Sequence, residues 1–300
     1  MTAASAPAPA RASGPGMRRR LSAVVPWLLL APGLLWLFFF YVLPSIQMFT
    51  YSVSTGSIEE GYTLTLTADA YVEALTRFGD QFLNSIIYGG LATILTFLIG
   101  FPVAYTIAFR GGRYKNLILF LVIAPFFTSF LIRTISWKIL LGDEGPILGP
   151  LKHTLGILPG GFSVLGTPVA QLAGITYNFL PFMILPLYIA LEKLDPSLMD
   201  AASDLYAGRW QTFRRITFPL ALPGVFAGSL LTFSPAMGDY INAELLGTPK
   251  TRMIGNVIQN RLLLQNDYPV GSALSFILMA AILVAVAIYA RALGTEQLTG

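Results

Sequence analysis

The sequence predicts an all-α membrane protein with six transmembrane helices, and three observations support this. Hydrophobic residues make up 55% of the 300 residues and charged residues only 11%, whereas soluble domains carry roughly 25% charged residues. Six apolar runs are each long enough to cross a bilayer, which takes about 20 residues. Lys and Arg are unequally distributed between the segments that join those runs. A water-soluble surface could hardly be built from such a chain.

The N-terminal residues 1–20 are predicted to be a disordered cytoplasmic tail, because 1–16 are rich in Ala, Pro, Ser and Gly. Met17 is followed by Arg18–Arg20 and then by an apolar run. That run is longer than the roughly 7–15 residues of a signal-peptide core. We therefore interpret it as a first span with the arginines at its inner end. Translation from Met1 or from Met17 is compatible with this pattern.

Residues 21–292 are predicted to form one transmembrane domain. Its spans are about 23–43, 82–108, 116–137, 168–190, 220–241 and 270–291. The connection 44–81 is polar enough to leave the membrane, and 142–167 is rich in Gly and Pro, with a short interfacial helix near 148–155. Gly224 and Gly228 in the fifth span predict close helix packing rather than a ligand contact.

The distribution of positive charge predicts the orientation, because cytoplasmic segments carry the excess of Lys and Arg. With the N-terminus inside, twelve of the 19 Lys and Arg residues lie inside and six outside, and Arg133 lies within a span. Both termini are then cytoplasmic, and residues 293–300 form a short C-terminal tail.

Several kinds of chemistry are excluded by what the sequence lacks. Cysteine is absent and His153 is the only histidine, so disulfides and histidine-based metal clusters are excluded. There is no Gly-Lys pair for a phosphate-binding loop and no G-x-S-x-G nucleophile motif. We therefore expect no catalytic residue, metal or cofactor in this chain. Energy for uphill transport would come from a partner or an ion gradient.

The segment 193–219, between the fourth and fifth spans, has the pattern helix, break, helix on the cytoplasmic side. Asp195 is a good N-cap and Pro196 suits the first helical position. Gly208 is predicted to end the first helix and Pro219 the second. The apolar positions of the first helix recur at helical spacing: Leu198, Ala201, Ala202 and Leu205. Such a small-residue face suits docking into a groove of another protein, and a surface helix in the headgroups is the alternative.

This segment resembles the cytoplasmic coupling loop of permease subunits of binding-protein-dependent ABC importers. The family pattern is Glu-Ala-Ala, three residues, Gly, nine residues, Ile, one residue, Leu-Pro. The matches here are Asp200-Ala201-Ala202, Ile216 and Pro219, without a gap. Asp replaces Glu at position 200, and Phe218 replaces Leu. Tyr206 stands at the glycine position, with Gly208 two residues later, which bears on the geometry of the turn.

Other motifs resemble those of the spermidine/putrescine-type permeases of this family. They lie at 125–137 in the third span, and at 238–247 and 253–259 after the fifth. The resemblance implies one of two permease subunits of an inner-membrane importer for a small organic solute, most like a polyamine. A coupling helix would lie between the fourth and fifth spans. The ATPase-coupling residues would be Asp200, Ala201, Ala202, Tyr206, Gly208, Ile216 and Pro219.

The resemblance also implies the partners of the chain. These are a dimeric ATPase subunit, which binds the ATP and Mg, a second permease subunit and an extracytoplasmic substrate-binding protein. Membrane lipid surrounds the complex, and no nucleic acid is involved. The sequence leaves open the exact solute, whether the pore has its own solute site, and whether the permease pair is homo- or heterodimeric.

Six residues are candidates for the solute pathway: Arg133, Tyr177, Asn178, Asp239, Tyr240 and Glu244. A charge within a span is expensive, so Arg133 is either functional or lies near the outer interface, where it snorkels or pairs with Asp143 or Asp239. Carboxylates beside aromatic rings suit a cationic polyamine, although Asp239 and Glu244 can instead cap or pair locally. The polar residues of the fourth span suit helix packing equally well.

Two other classes of protein are less compatible with the sequence. An ion-coupled secondary transporter often carries ionisable groups near the bilayer midplane, and the spans here have almost no acidic residues near their centres. A membrane-embedded enzyme would need a catalytic constellation that the sequence lacks.

Overall fold

The computed structural model describes residues 28–293 except 156, 158, 160 and 196. The predicted N-terminal tail, Pro196 and most of the C-terminal tail therefore lie outside the described residues. Within the described part, five helices are long and apolar enough to cross a membrane, and a bent pair makes up to six if counted as one span. The fold is thus that of an all-α membrane protein, and the count of six stays a prediction.

The elements follow one another from the first described helix to the last. α1 (Leu28–Ser52) leads into a hairpin, β1 (Ser54–Ser57) and β2 (Gly61–Leu64), then α2 (Asp69–Arg77) and α3 (Gly79–Arg110). α4 (Gly112–Phe127) and α5 (Phe130–Leu140) form the bent pair, followed by a π-helical turn at Pro150–Thr154. Then come α6 (Pro168–Glu192), α7 (Ser197–Asp204) and α8 (Arg209–Met237). The last elements are α9 (Ile241–Leu246), α10 (Ile254–Gln259), which continues as a π turn at Asn260–Leu264, and α11 (Tyr268–Leu293).

Helices α3, α6 and α8 form the centre of the molecule. Their buried side chains include Phe101, Met183 and Leu187. A Cβ on Gly224 would lie 2.7 Å from the carbonyl oxygen of Pro186, and one on Gly228 would lie 3.1 Å from that of Met183. The glycine pair of the fifth span therefore lets α8 approach α6 closely, as its spacing predicted.

The predicted third span, 116–137, is not one continuous helix. It is divided into α4 and α5, which meet at 94°. Thr128 and Ser129 between them are extended, with ψ angles of 148° and 138°, and Pro125 just before them cannot donate a helical hydrogen bond. The 16 residues of α4 rise only about 24 Å. Arg133, on α5, therefore lies beyond the elbow and not inside a straight span.

The hairpin and the end of α1 pack against the start of α11. The hairpin is antiparallel, with Ser54 opposite Leu64, and the Tyr62 hydroxyl donates to the carbonyl oxygen of Asn266 at 2.5 Å. The Tyr62 ring packs against Tyr51 and Tyr268 at centroid distances of 5.4 and 5.5 Å. The all-α prediction did not include this hairpin. Helix α1 runs nine residues past its predicted end at 43. None of the residues in its most apolar stretch is buried against the rest of the described chain.

Candidate functional site

The loop between α6 and α8 contains the short helix α7, whose ends are closed by hydrogen bonds. At the N-terminal end, the Asp195 carboxylate accepts a hydrogen bond from the backbone N–H of Ser197 at 2.9 Å. This bond stabilises the charged form and holds the pKa of Asp195 below its usual range. At the C-terminal end, Tyr206 N–H donates to Ser203 O and Ala207 N–H to Ala202 O, both at 3.0 Å. These two bonds define a Schellman motif.

The left-handed residue of that motif is Tyr206, with φ +58°. Glycine is the usual residue there because it has no Cβ, and a side chain costs roughly 1–2 kcal/mol. The turn thus falls at the family's glycine position and is made by a tyrosine. The prediction that Gly208 ends the first helix was wrong: with φ −67° and ψ 157° it precedes α8 as its N-cap.

Pro219 does not end the second helix either, since α8 runs through it to Met237. The turn before it is widened into a π-helical segment, Phe213–Thr217, and such bulges accommodate local disruption of the helical hydrogen bonds. Ile216 is half-buried within that segment, and Pro219 is exposed. The last positions of the family pattern therefore lie in the first turns of α8.

Helix α7 has an inner and an outer face. Ala202 is only 5% exposed, so it packs within its own chain, whereas Asp200 and Ala201 are exposed. The predicted small-residue face is thus divided between the two sides. Exposed large side chains of the loop are Leu198 at 42%, Leu205 at 81%, Tyr206 at 97% and Trp210 at 71%.

Sequence reasoning did not single out Trp210. Its ring stacks on Phe213 at 5.4 Å and 22°, and Phe213 meets Phe101 of α3 edge to face at 5.5 Å. A row of aromatic rings therefore packs the start of α8 against α3. The signal in the sequence was a large aromatic residue next to Arg209 and close to the pair Arg214 and Arg215.

Asp239 is buried at the end of α8 and caps α9. Its carboxylate accepts hydrogen bonds from the backbone N–H of Ile241 at 3.0 Å and of Asn242 at 3.1 Å, and from Asn242 Nδ2 at 2.5 Å. Solute contact and local capping were the two alternatives for Asp239, and its hydrogen bonds are those of a local cap.

Asn178 belongs to a buried polar network that joins α5, α6 and α9. Its Nδ2 donates to Thr134 Oγ1 at 3.1 Å and to Asn242 Oδ1 at 3.2 Å. Asn178 is 1% exposed and Thr134 and Asn242 are fully buried. The structure thus brings Asn178 and Asp239 together through Asn242, a residue that sequence reasoning missed. Its spacing of three from Asp239 was the signal, because it matches a capping pair.

Arg133 is buried against aromatic rings, with its guanidinium carbon 5.2 Å from the Phe126 centroid and 5.6 Å from that of Phe130. Its Nε and Nη1 atoms have no hydrogen-bond partner within the described part of the chain. The expected acidic partners are engaged elsewhere. Asp143 pairs with Lys152 at 2.9 Å, and the Asp239 carboxylate caps α9.

The remaining candidates differ in their access to space outside the core. The Tyr177 ring lies 5.4 Å from that of Trp137 and is half-buried. Tyr240 is 38% exposed and borders a cavity of about 640 Å³ between α8, α10 and α11. Glu244 is exposed, accepts a hydrogen bond from Asn256 Nδ2 at 3.2 Å, and borders a second cavity of about 360 Å³. Gln259 lines both cavities.

Comparisons with known proteins agree with this architecture. Residues 96–294 match the family described as the binding-protein-dependent transport system inner membrane component. The spermidine/putrescine transport system permease protein PotB of Haemophilus influenzae is 40% identical over 258 residues, covering 86% of this chain and 90% of that protein. PotB of Escherichia coli is 36% identical over 258 residues, covering 86% and 94%.

Solved structures of ABC transporters share the fold. A bacterial ABC transporter involved in the import of alginate matches with a TM-score of 0.75 at 20% identity, covering 94% of this chain and 100% of that one. The inward-facing MetNI methionine ABC transporter matches with a TM-score of 0.56 at 19% identity, covering 76% and 100%. At these identities the likeness shows the fold alone.

Proposed function

Because the chain belongs to the family of binding-protein-dependent transport system inner membrane components, we propose that it forms half of the pathway of an ATP-driven polyamine importer. It is an ABC transporter permease subunit of the inner membrane, and not an enzyme. Membership of this family excludes the alternative that the chain is an ion-coupled secondary transporter. The observation that carries the proposal is the closed loop around α7, whose exposed apolar side chains offer a docking surface.

In this proposal, a separate ATPase subunit docks on α7 and the start of α8. The chain has no phosphate-binding loop of its own, so ATP and Mg are bound by that partner. Closure of the ATPase dimer moves the docked helix, and α6 and α8 move with it as rigid elements, which opens or closes the pathway between the two permease subunits. A binding protein delivers the solute at the outer face.

A polyamine is the proposed solute, because relatives with 36–40% identity over 86% of this chain are spermidine/putrescine permeases. A polycation needs carboxylates and aromatic faces along its way. Glu244 and Tyr240 offer these groups beside the two cavities. Asp239 has its carboxylate engaged in capping α9, so we assign it the positioning of α9 and not contact with the solute.

The test is transport by the reconstituted complex of this chain, the second permease, the ATPase subunit and the binding protein in liposomes. We expect ATP-dependent uptake of labelled putrescine or spermidine, and competition by the other polyamine but not by an unrelated solute such as maltose. A complex with an ATPase inactivated at its phosphate-binding lysine is the control. ATP-dependent uptake without polyamine competition would overturn the polyamine assignment.

A further inference from the structure

The most exposed large hydrophobic side chain in the described part of the chain has a strained backbone. Tyr206 is 97% exposed and has φ +58°. Two other described non-glycine residues have a positive φ, Leu66 and Asn266, and asparagine tolerates this conformation. Among the described residues, the Tyr206 ring makes no stacking contact and its hydroxyl no hydrogen bond. The hydrogen bonds of the Schellman motif hold this backbone, but they do not use the ring, which is left almost fully exposed in the described part of the chain.

Two residues within four positions of Tyr206 in the chain are also exposed. Leu205 is 81% exposed and Trp210 is 71% exposed. Trp210 is held in place by its stacking on Phe213. A tryptophan held by stacking and a tyrosine on a tight turn lose little conformational freedom on binding. A large exposed ring at a position where the backbone favours glycine points to a role in contact with another molecule.

We propose that Tyr206 is an anchor residue for the ATPase subunit, with its ring inserted into an apolar pocket on that partner. The inference rests on the proposed function, which assigns this loop to ATPase docking. The family pattern has glycine here and offers no side chain, so the contact would be additional to the common docking mode. Tyrosine and tryptophan are over-represented among the few interface residues that carry most of the binding energy.

The test measures the affinity of the purified permease pair for its own ATPase subunit, with three substitutions at this position. Tyr206→Gly and Tyr206→Asn remove the ring and place residues that accept a left-handed backbone. Both are expected to weaken binding about 30-fold, the loss typical of an interface hot spot, without lowering the melting temperature. Tyr206→Phe keeps the ring and is expected to bind within about threefold of wild type. The matched control is Leu66→Gly, just after the hairpin, which removes a side chain from a residue of similar positive φ (+52°) and is expected to leave the affinity unchanged.

The outcomes separate the inference from the proposed function. If Tyr206→Gly binds the ATPase as tightly as wild type, the anchor role is wrong and the docking loop stands. If the wild-type pair binds no ATPase, the proposed function itself fails. Binding is measured in both detergent and lipid nanodiscs, because a loss confined to nanodiscs would place the ring in the headgroups and overturn the inference.

Discussion

The contact between α6 and α8 makes a sharp prediction at Gly224. A Cβ there would lie 2.6 Å from the Cβ of Ala190, 2.7 Å from the carbonyl oxygen of Pro186 and 3.2 Å from the Cα of Leu187. Two of these three atoms belong to the backbone, so no side-chain rotation can relieve the clash. Restoring an ordinary contact of 3.4 Å to the Pro186 oxygen requires the helices to separate by about 0.7 Å.

We expect Gly224→Ala to lower the free energy of unfolding by about 1–2 kcal/mol. Overpacking costs typically 1–3 kcal/mol, and the better helix propensity of alanine returns up to about 1 kcal/mol. The assay is reversible unfolding in detergent, followed by circular dichroism. The matched control is Gly90→Ala in α3, where an added Cβ meets nothing within 4 Å and stability should stay equal or rise by up to about 1 kcal/mol. Equal stability of the two variants would refute the close packing of α6 on α8.

Three further predictions concern polar groups. Asn178→Leu removes the donor to Thr134 and to Asn242. We expect it to lower the free energy of unfolding by about 1–3 kcal/mol in the same assay. An unchanged free energy of unfolding would argue against the network. Arg133→Met removes two buried nitrogen atoms without partners in the described part of the chain and should leave the melting temperature equal or higher, whereas a marked drop would reveal an acceptor for the guanidinium. Asp195→Ala removes the cap of α7 and should speed hydrogen exchange at Ser197, measured by mass spectrometry. Since the pKa of Asp195 is lowered on folding, the cap in the wild-type chain is fully present above the ordinary carboxyl pKa of about 3.9 and is lost as pH falls through the lowered value. Protection that does not depend on pH would contradict this.

The long helices were predictable because hydropathy reports which segments leave water. The apolar run 82–108 lies wholly within α3, for example. The elbow at Thr128 was not predictable, because the run 116–137 is apolar enough overall to be interpreted as one span. Proline was no guide either, since Pro102, Pro181 and Pro186 lie inside continuous helices. Whether a proline breaks a helix depends on neighbours that satisfy the freed carbonyl, and those are fixed only in the folded state.

The candidate site was predictable in position and less so in detail. The family spacing placed the turn of the loop at position 206, but glycine propensity favoured Gly208 as the helix end. The register of the Schellman hydrogen bonds decided for Tyr206. The role of Asp239 became clear only from its burial and hydrogen bonds. The sequence alone does not tell whether a carboxylate caps a helix or faces a cavity. The role of its partner Asn242 depends on contacts that exist only when α5, α6 and α9 pack together in the fold.

The hydrogen bonds that close both ends of α7 bear on how easily the loop bends under force. The cap at Asp195 lies three residues past the end of α6, the Schellman turn closes at Ala207, and α8 begins two residues later. Because Ala202 packs inward and only a few residues join α7 to α6 and α8, we expect a force on its outer face to reach the two long helices with little slack. A stiff connection of this kind passes a displacement on almost undiminished, whereas a glycine-rich linker would absorb it as local bending.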